Sequence, residues 1–348
     1  MKSLAFALLF LLVLFSQNSF AKNIAVVATG GTIVGAGESA VGSKYASAKI
    51  DINQVIKTIP NLDAIADVHA EQLMQVASQD IGNCDLLKIA KRVNELLAKR
   101  SVHGVVITHG TDSMEETAYF LNLVVKSKKP VILVGAMRPS TSLSSDGSLN
   151  LFNAVALASS DVAYDKGVLV MMQDKIFAAR DVTKASTINV AAFEATNSGA
   201  IGYVNYGKVE IYYSSLRAHT SKTEFNVKKL ESLPKADIIY SHSSFDSSVV
   251  DYLVESGSKA IIVAGVGDGN VNKSTLEALS KAAKSGVIVV RSARTGSGAV
   301  IANSEINDDE LGFVVADNLS AQKARILTIL ALTKTSDVKK IQKMFERY

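Results

Sequence analysis

From residue 24 onward, short unbroken runs of Val, Ile and Ala alternate with longer stretches whose apolar residues recur every three or four positions. The runs have strand length and lack polar alternation, as strands buried on both faces do, whereas the longer stretches carry the helical period. Alternation of the two is the pattern of βα units around a parallel sheet, so an α/β fold is expected. Residues 24–28, 102–108, 131–135 and 167–172 are the expected strands of a first domain. Between the first two lies a helix, because Leu86, Ile89, Ala90, Val93, Leu96 and Leu97 share one face, with Asn83 or Asp85 available as N-cap. From 203 to 233 tyrosines and charges alternate without a helical face, which reads as a linker closed by Pro234. The rhythm then restarts, with strands expected at 236–240, 260–264 and 287–290 and helices near 247–256 and 272–284. Helices over 320–333 and 338–348 close the chain. The expected layout is two α/β domains: a larger N-terminal one with a mainly parallel sheet (22–211), a linker (212–233) and a smaller C-terminal parallel-sheet domain (234–348).

The beginning of the chain does not share that rhythm. Met1, Lys2 and Ser3 precede a twelve-residue apolar run (4–15), a polar stretch (16–19) and small residues at Ser19 and Ala21. This is the layout of an export signal cut after Ala21, leaving Lys22 first. The run falls short of the about 20 apolar residues that span a bilayer. An exported, soluble, periplasmic protein is expected, with no membrane attachment after cleavage, and ATP and NAD are poor substrate candidates there. Composition narrows the classes further. With 48% hydrophobic residues among 348, disorder is excluded. The net charge of +4 gives no electrostatic footprint for nucleic acid. The single Cys84 excludes an intramolecular disulfide and a thiolate zinc cage.

Several familiar motifs fail on spacing. The glycines Gly30, Gly31, Gly35 and Gly37 follow a strand but form neither a dinucleotide fingerprint nor a phosphate loop, and G-x-S-x-G and H-E-x-x-H are absent. What stands out is a pair of hydroxyl-rich turns at two strand ends, Ala28-Thr29-Gly30-Gly31-Thr32-Ile33 and Thr108-His109-Gly110-Thr111-Asp112-Ser113. Ligands of open parallel sheets bind beyond the carboxyl ends of the strands, where helix N-termini present free N–H groups. Thr32 beside two glycines suits nucleophilic attack, since glycine lets backbone N–H groups approach a substrate carbonyl. Thr111 and Asp112 add a second hydroxyl and a carboxylate. The plainer alternative is capping: Thr, Ser and Asp are preferred N-caps, and Ser113 with Glu116 fits a capping box. With no histidine obviously placed as a base, Lys184 is the remaining option, against the alternative of a solvated surface lysine. The stretch 34–49 has the small-residue composition of a lid, and its one aromatic, Tyr45, either enters the site on closure or packs sideways on a surface loop.

Longer stretches carry a resemblance. VVATGGTIVG (26–35) and VVITHGTDSMEETAYF (105–120) look like the two signatures of bacterial L-asparaginases. AMRPSTSLSSDG (136–147), RDVTK (180–184), AGVGDGN (264–270) and SAQKARILTILALT (320–333) continue the likeness, which covers 23–348. With the export signal, the chain resembles the periplasmic type II branch of the asparaginase/glutaminase family. The resemblance implies a homotetramer of intimate dimers with active sites shared between subunits, and no metal or organic cofactor. It implies hydrolysis of L-asparagine to L-aspartate and ammonia, with L-glutamine expected as a poorer substrate. Thr32 would be the nucleophile that forms the β-aspartyl enzyme, assisted by Tyr45, with Thr111, Asp112 and Lys184 as a second catalytic group. Ser78, Gln79 and Asp112 would hold the α-carboxylate and α-ammonium, and Asn270 and Glu305 would enter from a neighbouring subunit.

Three features depart from the family pattern. Asp268 stands where many members have Asn, the disulfide of some periplasmic members cannot form, and the Gly-rich stretch 294–305 is short. Two other readings compete: a glutaminase-asparaginase with comparable activity on both amides, and an exported amino-acid binding protein without catalysis.

Overall fold

β1 (Lys22–Gly30) is the pivot of the fold. It is followed by a small antiparallel hairpin, β2 (Ala36–Gly37) with β3 (Tyr45–Ala46), then by β4 (Ala66–Val76), β5 (Gly104–Thr108), β6 (Val131–Val134) and β7 (Val168–Met172). The computed structural model describes residues 21–348 apart from Ser43 and Ala48, so the expected export segment, Ala21 excepted, lies outside the described residues. β4 pairs with one side of β1 and β5 with the other, and β6 and β7 extend the sheet beyond β5, all in parallel. The chain thus steps outward from β1 to β4 and crosses back to β5, placing a topological switch point at the carboxyl end of β1. Crevices at such points are where open α/β sheets bind ligands.

Past β7 the sheet turns antiparallel through β8 (Lys175–Ala178). β9 (Thr183–Lys184) and β10 (Phe193–Glu194) pair apart from it, and β11 (Gly202–Asn205) and β12 (Lys208–Ile211) finish the eight-stranded sheet. Two expectations are corrected here. The segment beginning at residue 203 starts not as linker but as the β11–β12 hairpin, whose tyrosines and charges face solvent on the sheet edge. The long edge strand β4 was not anticipated, because its outer exposure allows polar residues such as Glu71, Gln72 and Gln75 within it.

β1 shows why these strands are unbroken apolar runs. Ala25 and Val27 enter one core, with helix Asn83–Ala98 and helix Met114–Val124, while Ile24, Val26 and Ala28 enter the other, with helix Gly147–Ser159. The expected face of helix Asn83–Ala98 is buried, but its N-cap is Gly82, whose amide donates to Asp85, rather than Asn83 or Asp85.

The second domain has a four-stranded parallel sheet, β13 (Ala236–Tyr240), β14 (Ala260–Gly265), β15 (Ile288–Ala293) and β16 (Val314–Val315), in that order. Helix Ala321–Ala331 lies between this sheet and helix Met114–Val124, so Ile326, Leu327 and Leu330 belong to the same core as Val27 and Ile107. The chain is therefore α/β in two domains that are joined through one apolar core to which both contribute.

Candidate active site

The two hydroxyl-rich turns leave adjacent strands side by side, since Ala28 of β1 pairs with Thr108 of β5. Thr29 Oγ1 donates to the Thr108 carbonyl at 2.9 Å, tying the strand ends before the chains diverge. A third turn arrives from the end of β4. There the Ser78 hydroxyl accepts from the Asp112 amide at 3.2 Å, and the Ser113 hydroxyl donates to the Ser78 carbonyl at 2.6 Å. Ser113 is thus spent on joining two loops and makes no side-chain cap for its own helix, which corrects the expected capping box with Glu116. Together the three turns floor an open cavity of about 860 Å³ that is lined by Thr32, Tyr45, Ser78, Gln79, Thr111, Asp112 and Lys184.

Thr32 opens a short 3-10 turn, and its buried hydroxyl lies 2.9 Å from the Tyr45 hydroxyl. Tyr45 reaches it from β3, so the phenol enters the site rather than packing sideways. The hairpin is held over the cavity from the opposite wall: the Gly37 amide donates to Thr141 Oγ1, and Ser140 Oγ to the Gly35 carbonyl, each at 2.8 Å. The segment 137–144, which supplies that wall through Met137, Arg138, Pro139, Ser142, Leu143 and Ser144, had drawn no functional reading from sequence. Its only signal was its place in the family-like stretch.

Across the floor, Lys184 Nζ donates to Thr111 Oγ1 at 2.9 Å and to Asp112 Oδ1 at 2.5 Å. An oxygen accepting from Nζ retains its own hydroxyl proton, so Thr111 can present that proton to the cavity. Lys184 is no solvated surface lysine. Behind Thr111, His109 is fully buried, with Nδ1 2.7 Å from the Gly110 carbonyl and Nε2 2.9 Å from Thr117 Oγ1. A carbonyl only accepts, so Nδ1 carries the proton and Nε2 accepts from Thr117. Burial, partly opposed by the bond to the Gly110 carbonyl, pushes the imidazole down to about 4. It is a neutral brace for the turn, not a base.

Asn270 and Glu305 are not among the residues lining this cavity. They meet each other on the second domain, Asn270 Nδ2 donating to Glu305 Oε2 at 2.7 Å. Asp268 organises their surroundings, its carboxylate accepting from the Ile301 amide at 2.8 Å and the Ser304 hydroxyl at 2.7 Å. The Ser304 bond, helped by the Ile301 amide and the Arg291 charge and opposed by desolvation, holds the Asp268 carboxyl below its usual range. Beneath both loops Arg291 forks onto the buried Asp308 at 2.6 and 2.7 Å and donates to the carbonyls of Asp268 and Ile301.

Fold and site define a class: a two-domain α/β protein with paired threonine centres, one facing a tyrosine and one a lysine, at the switch point of a parallel sheet. Comparison with known proteins narrows it. The family models described as "Asparaginase, N-terminal" and "Glutaminase/Asparaginase C-terminal domain" match residues 23–217 and 235–345. The chain belongs to the asparaginase family. It is 47% identical to a protein of Haemophilus influenzae named "Probable L-asparaginase periplasmic" and 46% identical to "L-asparaginase 2" of Escherichia coli, in each case over 94% of this chain and 93% of the relative. It is also 48% identical to "Glutaminase-asparaginase" of Acinetobacter glutaminasificans, over 94% of this chain and 99% of the relative. The crystal structure of a "Probable Cytoplasmic L-asparaginase" from Campylobacter jejuni is similar with a TM-score of 0.91 at 47% identity, covering 94% of this chain and all of that one.

Proposed function

We propose that this protein hydrolyses L-asparagine to L-aspartate and ammonia through a threonyl ester. The observation that carries the reading is the Thr32–Tyr45 hydroxyl pair facing the same cavity as the Thr111–Lys184–Asp112 chain. As Thr32 Oγ1 bonds to the carboxamide carbon, its proton has the Tyr45 oxygen within reach and leaves with the amide nitrogen; the C–N bond breaks and ammonia departs. Water then adds to the ester carbon, the C–Oγ1 bond breaks, aspartate is released and the Thr32 hydroxyl is restored. The Thr111 hydroxyl, polarised by Lys184, serves as the second proton-handling group. Ser78, Gln79 and Asp112 hold the α-carboxylate and α-ammonium, and the turn amides beside Thr32 stabilise developing oxyanion charge.

In the same reading the working unit is a homotetramer of intimate dimers in the periplasm, where the leader pattern of residues 1–21 directs it. Asn270 and Glu305 close the site of a neighbouring subunit, which is consistent with their pairing away from their own chain's cavity. A second substrate, L-glutamine, is favoured by the 48% identity to a relative named glutaminase-asparaginase. One methylene separates the two amides by only about 1 to 3 kcal/mol. Ammonia release from each amide by the purified protein tests the proposal. Stoichiometric uptake of amino acid with no ammonia would instead identify a binding protein.

A further inference from the structure

Lys184 stands on a two-residue strand, and something must hold that short segment in register with Thr111. Two buried charges do so from opposite domains. From the first turn of helix Met114–Val124, Glu115 Oε2 accepts the Lys184 backbone amide at 3.0 Å. From the first turn of helix Ala321–Ala331, Lys323 Nζ donates to the Val182 carbonyl. Glu115 is 5% exposed and Lys323 2%. Burying charged side chains is costly, and although Glu115 in a first turn suits the helix dipole, Lys323 in a first turn opposes it, so stability does not explain the lysine's placement. Burial pushes the Lys323 ammonium down to about 8, the Glu115 and Asp181 carboxylates acting against that and Arg180 with it. At neutral pH it is still a cation, held so by the charges of the Glu115 and Asp181 carboxylates.

We infer that Glu115 and Lys323 are a pair of positioning residues that clamp residues 182–184 from both sides and so deliver the Lys184 amine to Thr111. The inference rests on the proposed catalytic role of Lys184. Neither residue lines the cavity; each acts through Lys184. Because Lys323 comes from the second domain, the clamp also makes lysine placement depend on how the domains are packed. An error of about 1 Å in a catalytic group can cost about a hundredfold in rate, so such a device has a measurable effect on turnover.

Steady-state turnover of L-asparagine and thermal melts on the full chain test it. Glu115→Ala removes the acceptor for the Lys184 amide and is expected to lower kcat about thirtyfold or more with KM within about threefold. Glu115→Gln keeps an acceptor oxygen but removes one of the two carboxylate charges that favour the Lys323 cation, so Tm falls while kcat stays within about fivefold of the parent. Lys323→Met keeps length and volume, loses the bond to Val182, and is expected to lose about tenfold in kcat with KM little changed. A purely structural role would make kcat follow Tm across the three, and that outcome overturns the clamp. So does near-parental turnover in a folded Glu115→Ala. If Glu115→Ala does not fold, unchanged kcat in Lys323→Met overturns it equally. Lys184→Met separates the two levels: if it retains turnover, the role of Lys184 falls and the clamp with it, whereas loss there with intact Glu115 and Lys323 variants rejects the clamp alone.

Discussion

Gly31 and Gly110 stand so close that a Cβ on Gly31 would lie 2.4 Å from the Gly110 amide nitrogen. Gly31 also has φ +84°, a conformation that side-chain-bearing residues adopt only under strain. This contact brings the Thr32 turn onto the Thr111 turn. Gly31→Ala is expected to cost about 2 kcal/mol or more of stability, from overpacking and backbone strain, and to reduce turnover sharply. Urea denaturation together with ammonia release checks both; a variant with parental stability and rate would show that the turns can separate without consequence.

The two threonine centres have separable signatures. Thr32→Ala is expected to lower kcat by about a thousandfold or more and Thr111→Val by a comparable factor, with the fold retained. Tyr45→Phe keeps the hairpin but removes the 2.9 Å partner of Thr32, and a loss of about 10² to 10⁴ is expected if the phenol handles the proton. Mass analysis with a slow acyl analogue distinguishes their parts: the adduct is expected on Thr32 in parent and Thr111→Val proteins and absent in Thr32→Ala.

His109 makes stability depend on acidity. In the folded protein its pKa is pushed down from 6.5 to about 4, so below pH 6.5 the unfolded chain binds the proton more readily. Its contribution is complete above pH 6.5 and is lost as pH falls toward 4, amounting to roughly 3 kcal/mol. Burial shifts His219 in the same direction. Denaturant melts between pH 7 and 4 are expected to show this slope, and His109→Gln is expected to flatten it in part. An unchanged slope would mean that the imidazole is not held neutral.

Under the second-domain loops, Arg291→Leu strands the buried Asp308 carboxylate and is expected to cost about 3 to 5 kcal/mol. It also releases the carbonyls of Asp268 and Ile301 and thereby the loops carrying Asn270 and Glu305. Arg291→Leu with Asp308→Leu is expected to recover much of the stability but not the loop order. Comparing melts and KM across single and double variants checks the distinction, since recovery of both together would leave the carbonyl bonds without a role.

Much of this architecture was legible because its strands are enclosed on both faces. β5, β6, β7 and β14 are almost wholly apolar, and β1 and β15 carry unbroken apolar runs at 24–28 and 288–290, so all six announce themselves. β4 and the β11–β12 hairpin face solvent along an edge, and their polar residues concealed them. Thr32 and Thr111 stood out through the neighbouring glycines, whose reason is the close approach of backbones. From the residues themselves Lys184 was reached only by elimination, because its partners lie about seventy residues earlier in the chain, and the likeness of RDVTK to the family supplied the rest. Glu115 and Lys323 carry no sequence signature of their own, since an acid in a first helical turn is ordinary and a lysine near a helix start is usually solvated. A cation on the apolar stripe with Ile326, Leu327 and Leu330 was the one available hint.

Helix Ala321–Ala331, wedged between the second sheet and helix Met114–Val124, has a consequence for how the molecule can move. Clamshell receptors capture amino acids by swinging two lobes about a solvent-filled seam. Here the corresponding seam is occupied by Ile326, Leu327 and Leu330, and opening it would wet the interior of both halves. Substrate capture therefore cannot rest on a hinge between the halves, and severing them is expected to leave two insoluble fragments rather than two working parts.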